Sequence, residues 1–417
     1  METQDAPRHT STNSPIAPRE PVAYLRLMVA STLGMTVFGA VQVVPAVSLD
    51  AIGTDLGLNL EHRGAVISLR MVGLVVSLLL VGYLGQRRGK QHFLFWGFLA
   101  IAAGKLLGAQ SSGYSSILGA MGITGLGLGV VEALVNPLAA QLNPRHSARA
   151  LNILNGLFSL GLVVGAFTTG GLLDSGHSWR MAFLIWLLPC AVCAVLFLTP
   201  HYPRHREETE GASSGASELR RFLGLPLFWV LFVAMVMGGG CEAGITSWAP
   251  NYMVKILGAS ARGGALATIV YGSFMALGRF ASGFLVTRVG PVGLMTASAV
   301  CCGLTTVGLA GVQSPWAAWC LFALSGLFVA CFWPTMLSVA SDHISTASTW
   351  LFALLSAAGV LGCVIFPWTI GALGDDFGLR SAVLVLPASM VVLLALMVPA
   401  ARLVRPHRHR AEVVQPH

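Results

Sequence analysis

Charge is what this 417-residue chain has least of: Asp, Glu, Lys and Arg make up 10% of it, against about 25% in a soluble domain. That is too little to cover a water-facing surface and excludes an ordinary soluble globular protein. Polar stretches are scarce as well. The longest between two apolar runs is His201–Arg221, which leaves no room for the soluble output domain that a membrane sensor carries. No G-x-x-x-x-G-K-[ST] sequence occurs, so ATP is not expected to drive this chain. The eight cysteines supply one CxxC, Cys190–Cys193, inside an apolar run and without a second pair. No metal site and no cofactor is expected, and the chain is not read as an enzyme. Met1–Pro21 lacks an apolar core, so no cleavable signal peptide is expected.

What remains is apolar: 55% of residues are hydrophobic, and mean hydropathy is +0.74. Runs of about 20 apolar residues, each long enough to cross a hydrocarbon core of about 30 Å, recur along the chain. Every backbone group in lipid needs an internal partner, so these runs read as helices. Twelve are expected: 23–47, 63–85, 91–110, 114–141, 149–172, 180–199, 223–255, 262–286, 291–312, 316–340, 347–372 and 379–402. The 48 glycines suit membrane helices, which approach closely through small residues. The net charge of +8 sits in short loops and the tail, as in cytoplasmic loops facing anionic lipid, so nucleic acid is not an expected partner. Five cations lie on the opposite side (Arg63, Arg180, Lys255, Arg262, Arg380) and three within spans (Arg70, Lys105, Arg279); about 17 remain on the side of the termini. This asymmetry predicts a multi-pass inner-membrane protein with both termini cytoplasmic.

An internal repeat divides the chain. Gly82-Tyr-Leu-Gly-Gln-Arg87-Arg-Gly89 returns as Gly283-Phe-Leu-Val-Thr-Arg288-Val-Gly290, displaced by 201 residues. Asn136-Pro137 answers Trp333-Pro334, Leu157-Phe-Ser159 answers Leu354-Leu-Ser356, and Ser178-Trp-Arg180 answers Gly378-Leu-Arg380, in order and at nearly the same offset. The expected organisation is a cytoplasmic tail (1–22), a six-helix bundle (23–199), a cytoplasmic linker (200–222), a second bundle (223–402) and a tail (403–417). The fold class is all-α, with twelve transmembrane helices in two pseudo-symmetric bundles. Two such halves with a site between them is a transporter design.

Two carboxylates lie within spans, Glu132 and Glu242. An ionisable group in a membrane helix is costly, so each is a functional candidate. Gly125, Gly129, Glu132 and Asn136 follow i, i+4, i+7, i+11 spacing and share one helix face. A carboxyl that charges and discharges as access alternates is what proton coupling requires; a buried Glu bonded to a neighbouring helix is the structural alternative. Glu242 lies in Gly238-Gly-Gly-Cys-Glu242-Ala-Gly244, where the helix is expected to be weakened. Trp248, Asn251 and Tyr252 follow it, and aromatic faces beside amides suit a polar solute; they equally suit a membrane interface. Trp333-Pro334 is expected to kink span ten. Asn152, Asn155 and Ser159 share a face of span five. Lys105 is expected to pair with an acid or to snorkel, and Arg70 to snorkel toward the outer surface.

The loop Gly82–Lys90 resembles the G-x-L-a-D-R-x-G-R-K loop of the major facilitator superfamily. Gly82, Leu84, Arg87, Gly89 and Lys90 match, while Gln86 and Gln91 depart. With its repeat at Gly283–Gly290 and with Gly278-Arg279, the likeness covers residues 23–402 and implies a cytoplasmic gate at Gly82, Arg87, Gly89, Arg279, Gly283 and Arg288. Gly125 to Asn136-Pro137, then Arg149-Ala-Leu-Asn152, Phe158-Ser-Leu-Gly161 and Glu242 with Trp248 and Tyr252, resemble the fucose/proton symporter branch. That branch implies proton-coupled uptake of a sugar, with Glu132 handling sugar and proton; Glu242 is the candidate to replace the acid missing from span one as a second proton-coupling residue. Gln42, Asn136, Asn155, Trp248, Asn251, Tyr252 and Trp333 are the expected cavity lining. Gln42 stands in span one, where the branch often has an acid. The expected function is secondary active transport of a sugar or similar polar solute with H+, by a monomer in the bilayer. A drug/proton exporter is the alternative, and a membrane sensor a remote one.

Overall fold

A computed structural model describes residues 21–84, 90–142, 147–198, 220–344 and 349–404. The first half contains α1 (Pro21–Val47), α2 (Leu49–Asp55), α3 (Leu60–Leu84), α4 (Lys90–Ala109), α5 (Tyr114–Leu142), α6 (Ser147–Asp174), α7 (Trp179–Leu184) and α8 (Leu187–Phe197). The second contains α9 (Pro226–Leu257), α10 (Ala261–Val289), α11 (Pro291–Gly311), α12 (Pro315–Val329), α13 (Phe332–His343), α14 (Thr349–Phe377), α15 (Leu379–Ala382) and α16 (Val385–Leu403). Among the described residues 11 helical segments are long and apolar enough to cross a membrane. Helix α3 completes the set. It carries Glu61, Arg63 and Arg70, and its 25 residues reach about 37 Å, enough to span. The pairs α7–α8, α12–α13 and α15–α16 each form one span interrupted by a turn, so the architecture is a twelve-span helical bundle. In span ten the break falls at Ala330–Cys331, just before Trp333-Pro334.

Buried apolar side chains separate into two main clusters. One is drawn entirely from Leu27 to Phe197, the other from Phe222 to Ala400 with Leu49 and Ile67 added. Corresponding helices pack in both halves: α1 on α6 and α3 on α5, then α9 on α14 and α10 on α12. The contacts themselves repeat. A Cβ on Gly125 would collide with the Arg70 carbonyl, and one on Gly326 with the Tyr271 carbonyl. Both members of each contact are displaced by 201 residues. Lipid supplies no hydrophobic force between helices, so these backbone approaches carry the packing.

The Gly238–Gly244 run does not weaken its helix. Helix α9 is continuous from Pro226 to Leu257. Gly239 abuts the Gly359 backbone, and Gly240 receives the Phe366 ring. Close packing offsets the helix propensity that glycine lacks.

The halves are tied together at the end opposite the chain termini. Asp174, closing α6, accepts hydrogen bonds from the Arg262 amide (3.0 Å) and the Ser260 hydroxyl (3.2 Å) at the start of α10. Asp375, near the end of α14, accepts from the Leu60 (2.8 Å) and Glu61 (2.7 Å) amides at the start of α3. These carboxylates are again 201 residues apart, and each caps a helix of the opposite half. Asp50 pairs with Arg63 (2.9 Å) and, across the halves, with Lys255 (3.2 Å). Asp55 ties α2 to Arg180 (2.6 Å); the bond from Arg180, then that from Trp179, holds its carboxyl below the ordinary range.

Candidate functional site

Several polar side chains meet near the middle of the molecule, where α1, α3, α9, α10 and α14 approach one another. Pro45 lies inside α1. It has no N–H, so the Val41 carbonyl has no helical donor, and the ring crowds that carbonyl. Lys105 Nζ, on α4, donates to the Val41 oxygen at 2.9 Å and lies 4.5 Å from the centre of the Phe183 ring. Lys105 thus neither pairs with an acid nor snorkels: it is wholly buried. Arg70 Nη1 donates to the neighbouring Gln42 carbonyl. Arg70 is 3% exposed, which overturns the snorkelling expectation. Its Nε is buried without a partner among the described residues. Arg70 is within electrostatic range of Lys105 and, across the halves, of Cys363 on α14.

From the second half, Glu242 on α9 forms an ion pair of 3.5 Å with Arg279 on α10. Arg279, expected at a gate, is therefore also a partner of this intramembrane acid. Glu242 shares a narrow crevice with Trp333, Phe332, Met235 and Met336. Tyr271, the counterpart of Arg70 in the repeat, is buried with its hydroxyl beside Thr246 and within electrostatic range of Glu242. The Cys363 thiol donates to the Gly239 carbonyl (3.4 Å) and is within electrostatic range of both Arg70 and Glu242, so it links the two halves of the cluster. Between the halves, α6 and α10 line a half-open cleft of about 170 Å³ that includes Ser159, Leu162, Thr268, Gly272 and Ser273.

Glu132 stands apart. Gly125 and Gly129 on its stripe press against the backbone of α3, and Glu132 follows on the same helix. It is half-buried and makes no hydrogen bond or ion pair with any described residue. Asn136, one turn on, is half-buried, and its Oδ1 has no partner among the described residues.

The structure does not gather every expected residue. Trp248 is buried and donates from Nε1 to the Pro367 carbonyl at 3.0 Å. Tyr252 is buried with its hydroxyl on the Leu309 carbonyl. Both are committed to helix packing in this state. Asn251 is 1% exposed, and neither its Oδ1 nor its Nδ2 has a partner among the described residues. The Gln42 side chain is half-buried beside Arg70. Gly283 faces open space, and Arg288 is exposed at the end of α10. Gly82 lies in the last turn of α3. Arg87 and Gly89 fall outside the described residues, as do the side chains of Asn152 and Asn155. Arg70, Tyr271 and Cys363 are not among the site residues expected from sequence; the 201-residue offset that pairs Arg70 with Tyr271 is the signal that could have found two of them.

The family model of the Major Facilitator Superfamily matches residues 27–351. The chain belongs to the major facilitator superfamily. A putative metabolite transport protein of Haemophilus influenzae is 29% identical over 278 residues, 64% of this chain and 68% of the relative. Membrane protein MosC of Rhizobium meliloti is 24% identical over 365 residues, 85% of each chain. Among solved structures, a bacterial homologue of the human lysosomal transporter Spinster, inward-facing and occupied, superposes with a TM-score of 0.78 at 15% identity, covering 93% of this chain and 98% of its own. This major facilitator protein is thus a multi-pass membrane transporter.

Proposed function

We propose that this transporter is a proton-coupled symporter that takes up a sugar or similar small polar solute by alternating access. Glu132 carries the reading. It is an intramembrane carboxyl with no partner among the described residues, on the helix face that also presents Asn136. A carboxyl left unpaired at this depth has a proton as its ready counter-charge. Glu242 plays a different part, because Arg279 already neutralises it; a proton on Glu242 would release Arg279 and loosen α9 from α10. With the termini cytoplasmic, the ties at Asp174, Asp375 and Asp50 close the outer side in the state described. The solute then leaves by the side on which the cation-rich loops lie.

Proteoliposome counterflow with a panel of labelled sugars and polar solutes, followed by uptake driven by a pH gradient, tests the reading. Glu132→Gln is expected to keep exchange and lose gradient-driven accumulation. Accumulation at the wild-type level in that variant would remove Glu132 from coupling. If apolar cations instead dissipate the proton gradient and no polar solute exchanges, the protein is an exporter.

A further inference from the structure

We infer that the solute carries a carboxylate and that Arg70, with Lys105 behind it, forms its anion-binding site. The inference rests on the symporter reading and names the substrate class of that transport site. Of the basic side chains buried in the first bundle, Arg63 pairs with Asp50, whereas Arg70 and Lys105 form no ion pair with a described residue. Uncompensated charge in a membrane interior is costly, and such groups are normally paired with one another or with a counter-charge. The Val41 carbonyl freed by Pro45 and the neighbouring Gln42 carbonyl account for one donor from each side chain. They do not account for the positive charge of Arg70: a carbonyl needs only a neutral donor, whereas a guanidinium stays protonated inside a protein. Arg70 also retains unused donors. A guanidinium carries five N–H groups in a planar fork that matches a carboxylate bidentately, and its buried Nε has no acceptor among the described residues.

The position of Arg70 sets how the site works. Its side chain lies where α3 meets α14, below the contacts of Gly64 with Pro367 and of Asp375 with Leu60 and Glu61. Separating α3 from α14 at the outer end uncovers Arg70 to the cavity and to a carboxylate entering from outside. When the halves close there, the Gln42 carbonyl takes a guanidinium N–H in place of the ligand, the arrangement seen here. Exchange of one acceptor for another avoids leaving a bare buried cation after the solute departs. One proton carried with one carboxylate makes the translocation step electroneutral, which fits a single unpaired intramembrane Glu in the same half.

The test is counterflow in proteoliposomes containing the full chain at equal pH on both sides. It uses solutes matched in size that differ in charge: D-glucuronate against D-glucose, D-gluconate against sorbitol, succinate against succinamide. At least one carboxylate is expected to exchange about tenfold or more faster than its neutral partner. Arg70→Gln should slow that exchange at least about 30-fold, the effect of truncating one side of a buried charged pair, while Arg70→Lys keeps a measurable part. Neutral solutes exchanging as fast as their carboxylate partners, or a folded Arg70→Gln protein exchanging carboxylates at the wild-type rate, would overturn the inference. The wild-type selectivity decides the matter even if the Gln variant fails to fold. Exchange of neutral solutes alone sinks the anion site and leaves the symporter reading standing; no exchange of any solute sinks both.

Discussion

Replacing Asp174 and Asp375 together by Ala should open the transporter at the end opposite its termini. Each carboxylate accepts two hydrogen bonds at the start of a helix in the other half: the Arg262 amide (3.0 Å) and the hydroxyl of the N-cap Ser260 (3.2 Å) for Asp174, and the Leu60 and Glu61 amides (2.8 and 2.7 Å) for Asp375. Losing a capping carboxylate costs about 1 kcal/mol. The two sites belong to separate helix pairs, so their effects should add to about 2 kcal/mol. None of these bonds can persist once the halves part at this end, so the whole cost falls on the closed state. The ratio of open to closed should rise about 30-fold. Asn caps a helix nearly as well as Asp, so the double Asn variant should shift the ratio only slightly. Nitroxides at Ser112 and Gln313, exposed positions 201 residues apart on that end, report the separation by pulsed electron-electron distance measurement. The background for this assay has its native cysteines replaced by alanine. A double Ala variant whose distance distribution matches that of its parent would show that these caps do not hold the halves together.

Two further predictions concern stability. Gly125→Ala and Gly326→Ala place a methyl group on the Arg70 and Tyr271 carbonyls, so both should lose the folded monodisperse peak in detergent chromatography, whereas Gly156→Ala and Gly283→Ala, which meet open space, should keep it. Asp55 has a folded-state carboxyl held below the ordinary range by Arg180; its contribution is present above the unfolded value of about 3.9 and is lost only as pH falls through the lowered one. Asp55→Asn should therefore lower the thermal midpoint equally at pH 7 and pH 5, and a loss confined to pH 7 would refute the assignment.

The fold was legible because lipid imposes it. Spans of about 20 apolar residues, and a repeat from Gly82 to Arg380, predict the twelve helices and their division into two halves before any coordinate is known. Side-chain roles were less legible, because they depend on which face of a helix meets which neighbour. Trp248 and Tyr252 share a helix with Glu242, and their composition suits a cavity wall; their donors instead reach carbonyls of α14 and α11. Nothing in the local sequence distinguishes these destinations. The pairing of Glu242 with Arg279 joins two helices through residues 37 positions apart, and no spacing rule reaches that far. Arg70 departs from its expectation for a specific reason: its distance from the outer end suggests snorkelling, while its burial follows from α14 lying across it. Pro45 holds the missing signal. A proline within a span announces an unpaired carbonyl one turn earlier, and therefore a donor on a neighbouring helix.

That signal separates the structural duty of Lys105 from its proposed electrostatic one. If Lys105 serves only the Val41 carbonyl, Pro45→Ala makes it dispensable, because the substituted alanine restores the missing helical N–H. Lys105→Met in the wild-type background removes one interhelical hydrogen bond, worth about 0.6–1.7 kcal/mol in membrane proteins, and strands the carbonyl. In the Pro45→Ala background the same change strands nothing, so its thermal penalty should fall by more than half. Equal penalties in both backgrounds would show that the carbonyl is not what Lys105 stabilises. Transport gives the second reading of the same cycle. Stability returns in the double variant, but the positive charge behind Arg70 does not, so carboxylate exchange should stay reduced in it. Full recovery of exchange together with stability would assign Lys105 to the architecture of α1 alone and leave Arg70 as the sole cation of the site.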